Sequence, residues 1–149
     1  MEKWKEKLGR DYVLLFRAHY TVGTALNITN DEFVKNVSDY PELNDLYVIS
    51  DMMISDYSST FFDYSILDRP MFCFAYDLEE YSEKRGLYLD LSKELPCRIN
   101  KTEDDLLSDI VSLNYSEARA KTKIFHMKYA PNAGNASRTV VDKIIERLK

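Results

Sequence analysis

Short apolar runs separated by amphipathic segments form the main pattern of the chain. Three runs are apolar at nearly every position, at residues 12–16, 52–55 and 71–76. Runs of this kind are typical of strands that are buried on both faces of a parallel sheet. They alternate with segments whose apolar residues recur at helical spacing. The pattern therefore predicts an α/β fold, with an open parallel sheet and helices on both faces.

The remaining segments predict the helices and connections. Residues 1–9 predict a polar helix that ends at Gly9, and Pro41 suits the first turn of the next helix. Residues 20–36 predict a loop with a weak strand, and residues 77–87 a charged surface connection. Short strands or extended segments are predicted at 87–91 and 97–99. Further helices are predicted at 61–67, from the N-cap Thr102 onward, at 116–128 and at 137–149. Ser137 is the predicted N-cap of the last helix.

A cluster of hydroxyl groups follows the second run, in the sequence Ser55-Asp56-Tyr57-Ser58-Ser59-Thr60. The first N–H groups of a helix lack intrahelical partners, and the helix dipole favours anions there. These hydroxyls could therefore hold a phosphate without the glycine-rich loop that this chain lacks. A structural alternative remains open, because Thr60 and Asp63 have the spacing of a capping box.

Polar residues that follow the other runs are further candidates, because ligands of parallel sheets bind at the carboxyl ends of the strands. His19, beside Arg17, could donate to a phosphate oxygen or act as an acid or base, or it could be a surface histidine. Arg85 could contact a phosphate, or it could lie in a solvated loop. His126, between two apolar residues of a predicted helix, is interpreted as structural.

Charge and cysteine content exclude several functions. The chain has 149 residues with 20 basic and 25 acidic side chains, a net charge of −5, which argues against nucleic acid binding through a general basic surface. Cys73 and Cys97 lack metal-type spacing and predict reduced cytosolic thiols. We expect no metal site and no cofactor. No apolar run approaches the ~20 residues of a membrane span, so any membrane contact should be peripheral.

Several short segments occur together in the order of a known family. Arg17-Ala18-His19 comes first, Asp56-Tyr57-Ser58-Ser59 lies near the middle, and Gly134-Asn135-Ala136-Ser137 comes last. Between them lie Val37-Ser38-Asp39-Tyr40-Pro41, Phe62-Asp63-Tyr64, Arg69-Pro70, Tyr76-Asp77-Leu78-Glu79-Glu80-Tyr81 and Arg85-Gly86. With this set the chain resembles, over residues 10–148, the carboxyl-terminal domain of the CDP-glycerol glycerophosphotransferases of wall teichoic acid synthesis.

The resemblance implies a Rossmann-like domain, the second half of a B-type glycosyltransferase fold. In that fold the second domain binds the cytidine-diphosphate donor and the first binds the acceptor. Residues 1–149 are thus expected to be a single donor-binding domain, truncated at its N-terminus, without the acceptor domain and inactive alone.

The resemblance also implies roles for individual residues. Ser58 and Ser59 would hold the donor's diphosphate, Asp63 would support their turn, and His19 would be catalytic, against the reacting phosphate. The remaining substrate-binding residues would be Arg17, Arg85, Ser137 and Arg138. The family pattern Asp-Gly-x-Ala-Ser-x-Arg is altered here, because Arg138 follows Ser137 directly, and one helical position turns a side chain by ~100°.

The implied function is transfer of glycerol phosphate from CDP-glycerol to a lipid-linked teichoic-acid-type polymer. The reaction would take place in the cytoplasm, at the inner face of a bacterial membrane. CDP-ribitol or capsule-type polyol-phosphate transfer, nucleotide binding without catalysis, and a plain α/β interaction domain remain as alternatives.

Overall fold

The computed structural model describes residues 2–18 and 28–148, and these form an alternating α/β chain. The elements in order are α1 (Glu2–Leu8), β1 (Leu14–Phe16), β2 (Val34–Asn36), α2 (Leu43–Ile49), β3 (Met53–Ser55), α3 (Thr60–Ser65), β4 (Met71–Phe74), α4 (Leu78–Arg85), α5 (Leu91–Glu94), β5 (Ile99–Asn100), α6 (Glu103–Val111), α7 (Tyr115–Tyr129) and α8 (Ala136–Arg147).

All strand pairs in the described part of the chain are parallel, as predicted. Strand β1 pairs with β2, and β4 lies between β3 and β5 in a second, three-stranded group. Strands β1, β3 and β4 are the three apolar runs, while β2 and β5 lie at or beside the weaker predicted strands. The parallel arrangement brings the carboxyl ends of β3 and β4 to the same edge of the sheet.

Helices cover both faces of β4. Its successive side chains point in opposite directions, so neighbouring residues pack against different helices. Phe72 packs in one buried cluster with Trp4 of α1 and Leu107 of α6. Its neighbour Cys73 packs in another cluster with Phe61 of α3 and Phe125 of α7. The first cluster also contains Phe33 and Val34, at the start of β2, so it joins the two strand groups.

The end of α1 at Gly9 follows from a close backbone approach. The amide of Gly9 donates to the carbonyl of Lys5 at 2.9 Å. A Cβ atom at Gly9 would lie 2.4 Å from that same oxygen, which is too close for any side chain. Glycine at this position is therefore required by the geometry of the turn.

The structure differs from the sequence predictions at three places. Residues 78–85 form helix α4 rather than a surface loop, and α4 buries no side chain, so no apolar periodicity could reveal it. It is stabilised by exposed ion pairs such as Lys84–Glu80, spaced i, i+4. Residues 87–91 form no strand, because the Asp90 side chain accepts from the amide of Ser92 and begins α5. Helix α8 begins after Asn135, so Ser137 is not its N-cap.

Helix α8 has an exposed apolar side. Val140, Val141, Ile144 and Ile145 are each about half exposed, and α8 buries no residue. Among the described residues, no helix is both long enough and apolar enough to span a bilayer.

Candidate functional site

The candidate site is the serine turn, residues 56–59, which joins β3 to α3. Ser55 pairs with Cys73 of β4, so the serine turn lies beside residues 75–77 that follow β4. This is the sheet edge where ligands of parallel α/β folds bind. The structure thus puts the hydroxyl cluster at the edge that the sequence predicted.

The hydroxyls of the turn have different hydrogen bonds. The Oγ of Ser58 accepts from the amide of Thr60 at 3.2 Å, and the Oγ atoms of Ser55 and Thr60 lie 3.2 Å apart. Ser59 is the N-cap of α3 by position, but its backbone is helical (φ −64°, ψ −10°) and its side chain makes no capping bond. The exposed hydroxyl of Ser59 is therefore available to a ligand.

The capping box proposed for Thr60 and Asp63 is not formed. Thr60 is the first helical residue of α3 rather than the cap, so the two residues lack the required positions. Asp63 is exposed and makes no hydrogen bond to the serine turn within the described residues. Local structure therefore accounts for Ser58 but leaves Ser59 without a structural role.

The buried phenol of Tyr47 lies near three candidate residues. The hydroxyl of Tyr47 is buried and has no hydrogen-bond partner within the described part of the chain. Burial is the main cause that raises its pKa, and the charge of Asp63 adds to the rise. The hydroxyl of Thr60 and the guanidinium of Arg17 act in the opposite direction. Arg17, Asp63 and Thr60 therefore all lie near the phenol of Tyr47.

Arg17 follows β1 and is already engaged by backbone. Its Nη1 donates to the carbonyl of Tyr40 at 2.7 Å, and the amide of the next residue, Ala18, donates to Oγ of Ser38 at 3.0 Å. These bonds join the end of β1 to the segment before α2. His19, the predicted catalytic residue, lies outside the described residues.

The other predicted substrate-binding residues are not joined to the serine turn. Arg85 is the exposed last residue of α4, and Ser137 and Arg138 are exposed in the first turn of α8. Arg138 lies 3.9 Å from Asp142 on the same helix. In the described ranges, no hydrogen bond or ion pair connects these three residues to residues 56–59, and their roles remain predictions.

Sequence reasoning missed Tyr57 and Asp77. The phenol of Tyr57 donates to Oδ1 of Asp77 at 2.5 Å, and its ring stacks on that of Tyr81 with 3.9 Å between centroids and 19° between planes. Burial is the first cause that raises the pKa of Tyr57, followed by the bond to Asp77, so the phenol stays neutral and donates. The available signal in the sequence was an aromatic residue shortly after each of the neighbouring strands β3 and β4.

A second concave region lies away from this edge. It has a volume of about 240 Å³ and is lined by Asp68, Ser116, Arg119, Ala120 and Lys123. Asp68 contacts His126 at 3.0 Å, which confirms the structural interpretation of that histidine. Arg119 donates to the carbonyl of Asp68 at 3.2 Å, so these polar groups serve the packing of α7. The described residues contain no group of three or more side chains arranged to bind a metal.

Comparison with known proteins identifies the family. The family described as CDP-Glycerol:Poly(glycerophosphate) glycerophosphotransferase matches residues 1–146. The chain is 39% identical to a teichoic acid glycerol-phosphate transferase of Staphylococcus aureus, over 98% of this chain and 38% of that protein. It is 33% identical to a teichoic acid poly(ribitol-phosphate) polymerase of Bacillus spizizenii, over 93% of this chain and 23% of that protein.

A solved structure supports the same assignment. The wall teichoic acid polymerase TagF, in a crystal soaked with CDPG, superposes with a TM-score of 0.82 at 34% identity. The match covers 99% of this chain and 38% of that chain. The agreement confirms the predicted B-type glycosyltransferase class of fold, and the chain spans less than two fifths of the length of these relatives. From its sequence and its fold alike, the chain belongs to the CDP-glycerol:poly(glycerophosphate) glycerophosphotransferase family.

Proposed function

We propose that residues 1–149 act as the donor-binding domain of a transferase that moves glycerol phosphate from CDP-glycerol to a teichoic-acid-type polymer. The observation that supports this most directly is the exposed hydroxyl of Ser59 at the carboxyl edge of the sheet, which makes no capping bond to α3. Family membership over residues 1–146 supports a CDP-linked donor as the ligand of that edge. The lipid-linked acceptor and a place at the inner face of the bacterial membrane belong to the same proposal.

The chemistry is phosphoryl transfer, which depends on positioning and on neutralising charge. An acceptor hydroxyl attacks the phosphorus that carries glycerol, a new phosphodiester bond forms, the bond to CMP breaks, and the hydroxyl proton passes to a base, for which His19 is the candidate. Negative charge grows on the phosphate of the departing CMP. The hydroxyls of Ser58 and Ser59 offer donors to that charge. His19 is proposed to contact the reacting phosphate, with a guanidinium such as that of Arg17 nearby.

A ribitol donor is the second candidate. The 33% identity to a poly(ribitol-phosphate) polymerase is only slightly below the 39% identity to a glycerol-phosphate transferase. Both donors carry the same cytidine diphosphate, so a site built from Ser58 and Ser59 would serve either one. Discrimination between the polyols must come from contacts beyond the diphosphate.

Calorimetry tests the donor-binding proposal directly. The chain is titrated with CDP-glycerol, CDP-ribitol, CMP and glycerol phosphate. We expect CDP-glycerol to bind more tightly than CMP, because only the former places two phosphates at the serine turn. If neither nucleotide binds at millimolar concentration, the chain is an interaction domain and the proposal is wrong.

Transfer is measured on the full-length gene product. We expect release of CMP from CDP-glycerol that depends on a lipid-linked glycerol-phosphate acceptor. Binding without any acceptor-dependent release would favour the alternative of a nucleotide-binding module. Faster release from CDP-ribitol than from CDP-glycerol would assign the second polyol.

A further inference from the structure

Tyr57 is held against the first turn of α4 by two contacts of different kinds. Its hydroxyl donates to Oδ1 of Asp77 at 2.5 Å, a charge-assisted bond of the strong class. Its ring stacks on Tyr81 at 3.9 Å and 19°. Asp77 immediately precedes α4, and Tyr81 lies one turn into it. The serine turn is thereby attached to the segment that follows the neighbouring strand.

Within the described residues, the other hydrogen bonds of the serine turn are weak or join it only to α3, where the amides of Phe61 and Phe62 donate to the carbonyls of Ser58 and Ser59 at 3.5 and 3.0 Å. On its inner side, Sγ of Cys73 donates weakly to the carbonyl of Asp56 at 3.5 Å. Toward α3, Ser58 accepts from the amide of Thr60, while the side chain of Ser59 makes no capping bond. Tyr57 is covalently next to Ser58, so a change in its position moves both serines.

From this geometry we propose that Tyr57 is a positioning residue for donor binding. Its bond to Asp77 and its stack on Tyr81 hold Ser58 and Ser59 in the orientation that binds the diphosphate. The inference rests on the proposed donor-binding function. Precise placement matters because a displacement of about 1 Å at a reacting phosphate greatly weakens its stabilisation.

Tyr57 acts through its neighbours rather than on the ligand. The phenol is half-buried and its hydroxyl is occupied by Asp77, so it has no free donor for a phosphate. Loss of the phenol should thus move the serines.

The first test compares two Tyr→Phe variants of the chain. Tyr57→Phe removes the bond to Asp77. Tyr129→Phe removes a matched part-buried bond, from the Tyr129 hydroxyl to Oε2 of Glu94, also at 2.5 Å. Both should lower Tm similarly without ligand. Only Tyr57→Phe should raise the Kd for CDP-glycerol in calorimetry, by roughly tenfold, as expected when a charge-assisted bond is lost.

The second test uses Asp77. Asp77→Asn keeps an acceptor oxygen and should leave Kd within about threefold of the unmodified chain, whereas Asp77→Ala should match Tyr57→Phe. The double variant Tyr57→Phe with Asp77→Ala should have the same Kd for CDP-glycerol as either single variant, because both substitutions remove the same bond.

The outcomes separate this inference from the function beneath it. Equal Kd values for Tyr57→Phe and Tyr129→Phe, with binding by the unmodified chain intact, overturn the role of Tyr57 alone. Additive losses in the double variant also overturn it, since Asp77 would then contact the ligand itself. An unmodified chain that fails to bind CDP-glycerol overturns the donor-binding function first.

Discussion

The imidazole of His126 and the carboxylate of Asp68 meet across 58 positions of sequence, with Nδ1 of the former 3.0 Å from Oδ1 of the latter. Asp68 adopts a left-handed conformation, with φ of 51°. Its carbonyl also accepts from Nε of Arg119, so α7 contacts this one residue through both side chain and backbone. The turn after α3 is therefore stabilised by tertiary contacts against its unfavourable backbone conformation.

Substitution of Asp68 should test the bond to His126 and the left-handed backbone conformation together. Asp68→Asn retains an acceptor oxygen and tolerates the left-handed region, so we expect a change in the free energy of unfolding below about 0.5 kcal/mol. Asp68→Ala loses the bond to His126 and places a less tolerant residue at positive φ, at a combined cost of about 2 kcal/mol. Urea denaturation measures both. Equal effects would mean that neither the bond nor the backbone conformation matters.

The parts of the fold that could be predicted are those with an apolar pattern. The apolar runs at 12–16, 52–55 and 71–76 contain strands β1, β3 and β4, and β4 packs into both buried clusters through alternate residues. Helix α4 could not be predicted, because it buries nothing and depends on charged pairs. The residue at which a helix starts depends on individual backbone angles. The predicted N-cap Thr102 was confirmed, whereas the prediction of Ser137 as an N-cap was wrong.

The candidate site follows the same division. Its location at the carboxyl end of a strand could be predicted, because the apolar runs mark where the strands end. The contacts within it are pairs between distant positions, such as Tyr57 with Asp77, and no spacing in the sequence encodes them. Arg69 belongs to a motif shared with the family, but its contacts are structural. Its Nη1 donates to the carbonyls of Val48 and Ser50 at 2.7 Å and completes the end of α2. A residue of a shared motif can thus be structural.

Ser59→Ala should weaken donor binding without weakening the fold. The exposed hydroxyl makes no capping bond, so the free energy of unfolding should change by less than about 0.5 kcal/mol. A lost hydrogen bond to an anion should raise the Kd for CDP-glycerol about tenfold or more. Calorimetry and urea denaturation on the same sample measure the two quantities. An unchanged Kd would remove Ser59 from the diphosphate site.

Ser58→Ala is the informative companion. Its Oγ accepts from the amide of Thr60 at 3.2 Å, so this variant should lose stability of about 1 kcal/mol as well as affinity. If both variants lose affinity but only Ser58→Ala loses stability, Ser58 has a structural role and a binding role, whereas Ser59 has a binding role alone. If Ser58→Ala affects stability alone, that hydroxyl is only structural.

The two cysteines should be unreactive in the folded chain. Burial raises the pKa of Cys73 to about 11 and that of Cys97 to about 12, so the thiolate is scarce at pH 8. We expect iodoacetamide to leave both thiols unmodified under native conditions and to alkylate both in concentrated urea, as followed by mass spectrometry. Rapid native alkylation of Cys73 would contradict its burial beneath the serine turn.

Asp31 should make the stability of the fold depend on pH in the acidic range. One of its carboxylate oxygens accepts from the amides of Val34 and Phe33 at 2.7 and 2.8 Å, and the other accepts from Lys5 at 3.0 Å. The bond from Val34 is the first cause that lowers the pKa of Asp31 to about 2, followed by the bond from Lys5. The carboxylate thereby joins the start of β2 to α1.

The sign of the effect follows from this lowered pKa. Unfolded aspartate titrates near ~3.9, so the stabilisation is fully present above about pH 5 and is lost as the pH falls toward 2. Asp31→Asn removes the charge, so the stability difference between the two chains should be largest at pH 6 and close to zero at pH 2. Lys5→Met should reduce the pH dependence without abolishing it, because the amides of Val34 and Phe33 still donate to the carboxylate. Urea denaturation at pH 6, 4 and 2.5 measures this difference, and parallel curves for the chain and Asp31→Asn would show that the carboxylate is not coupled to folding.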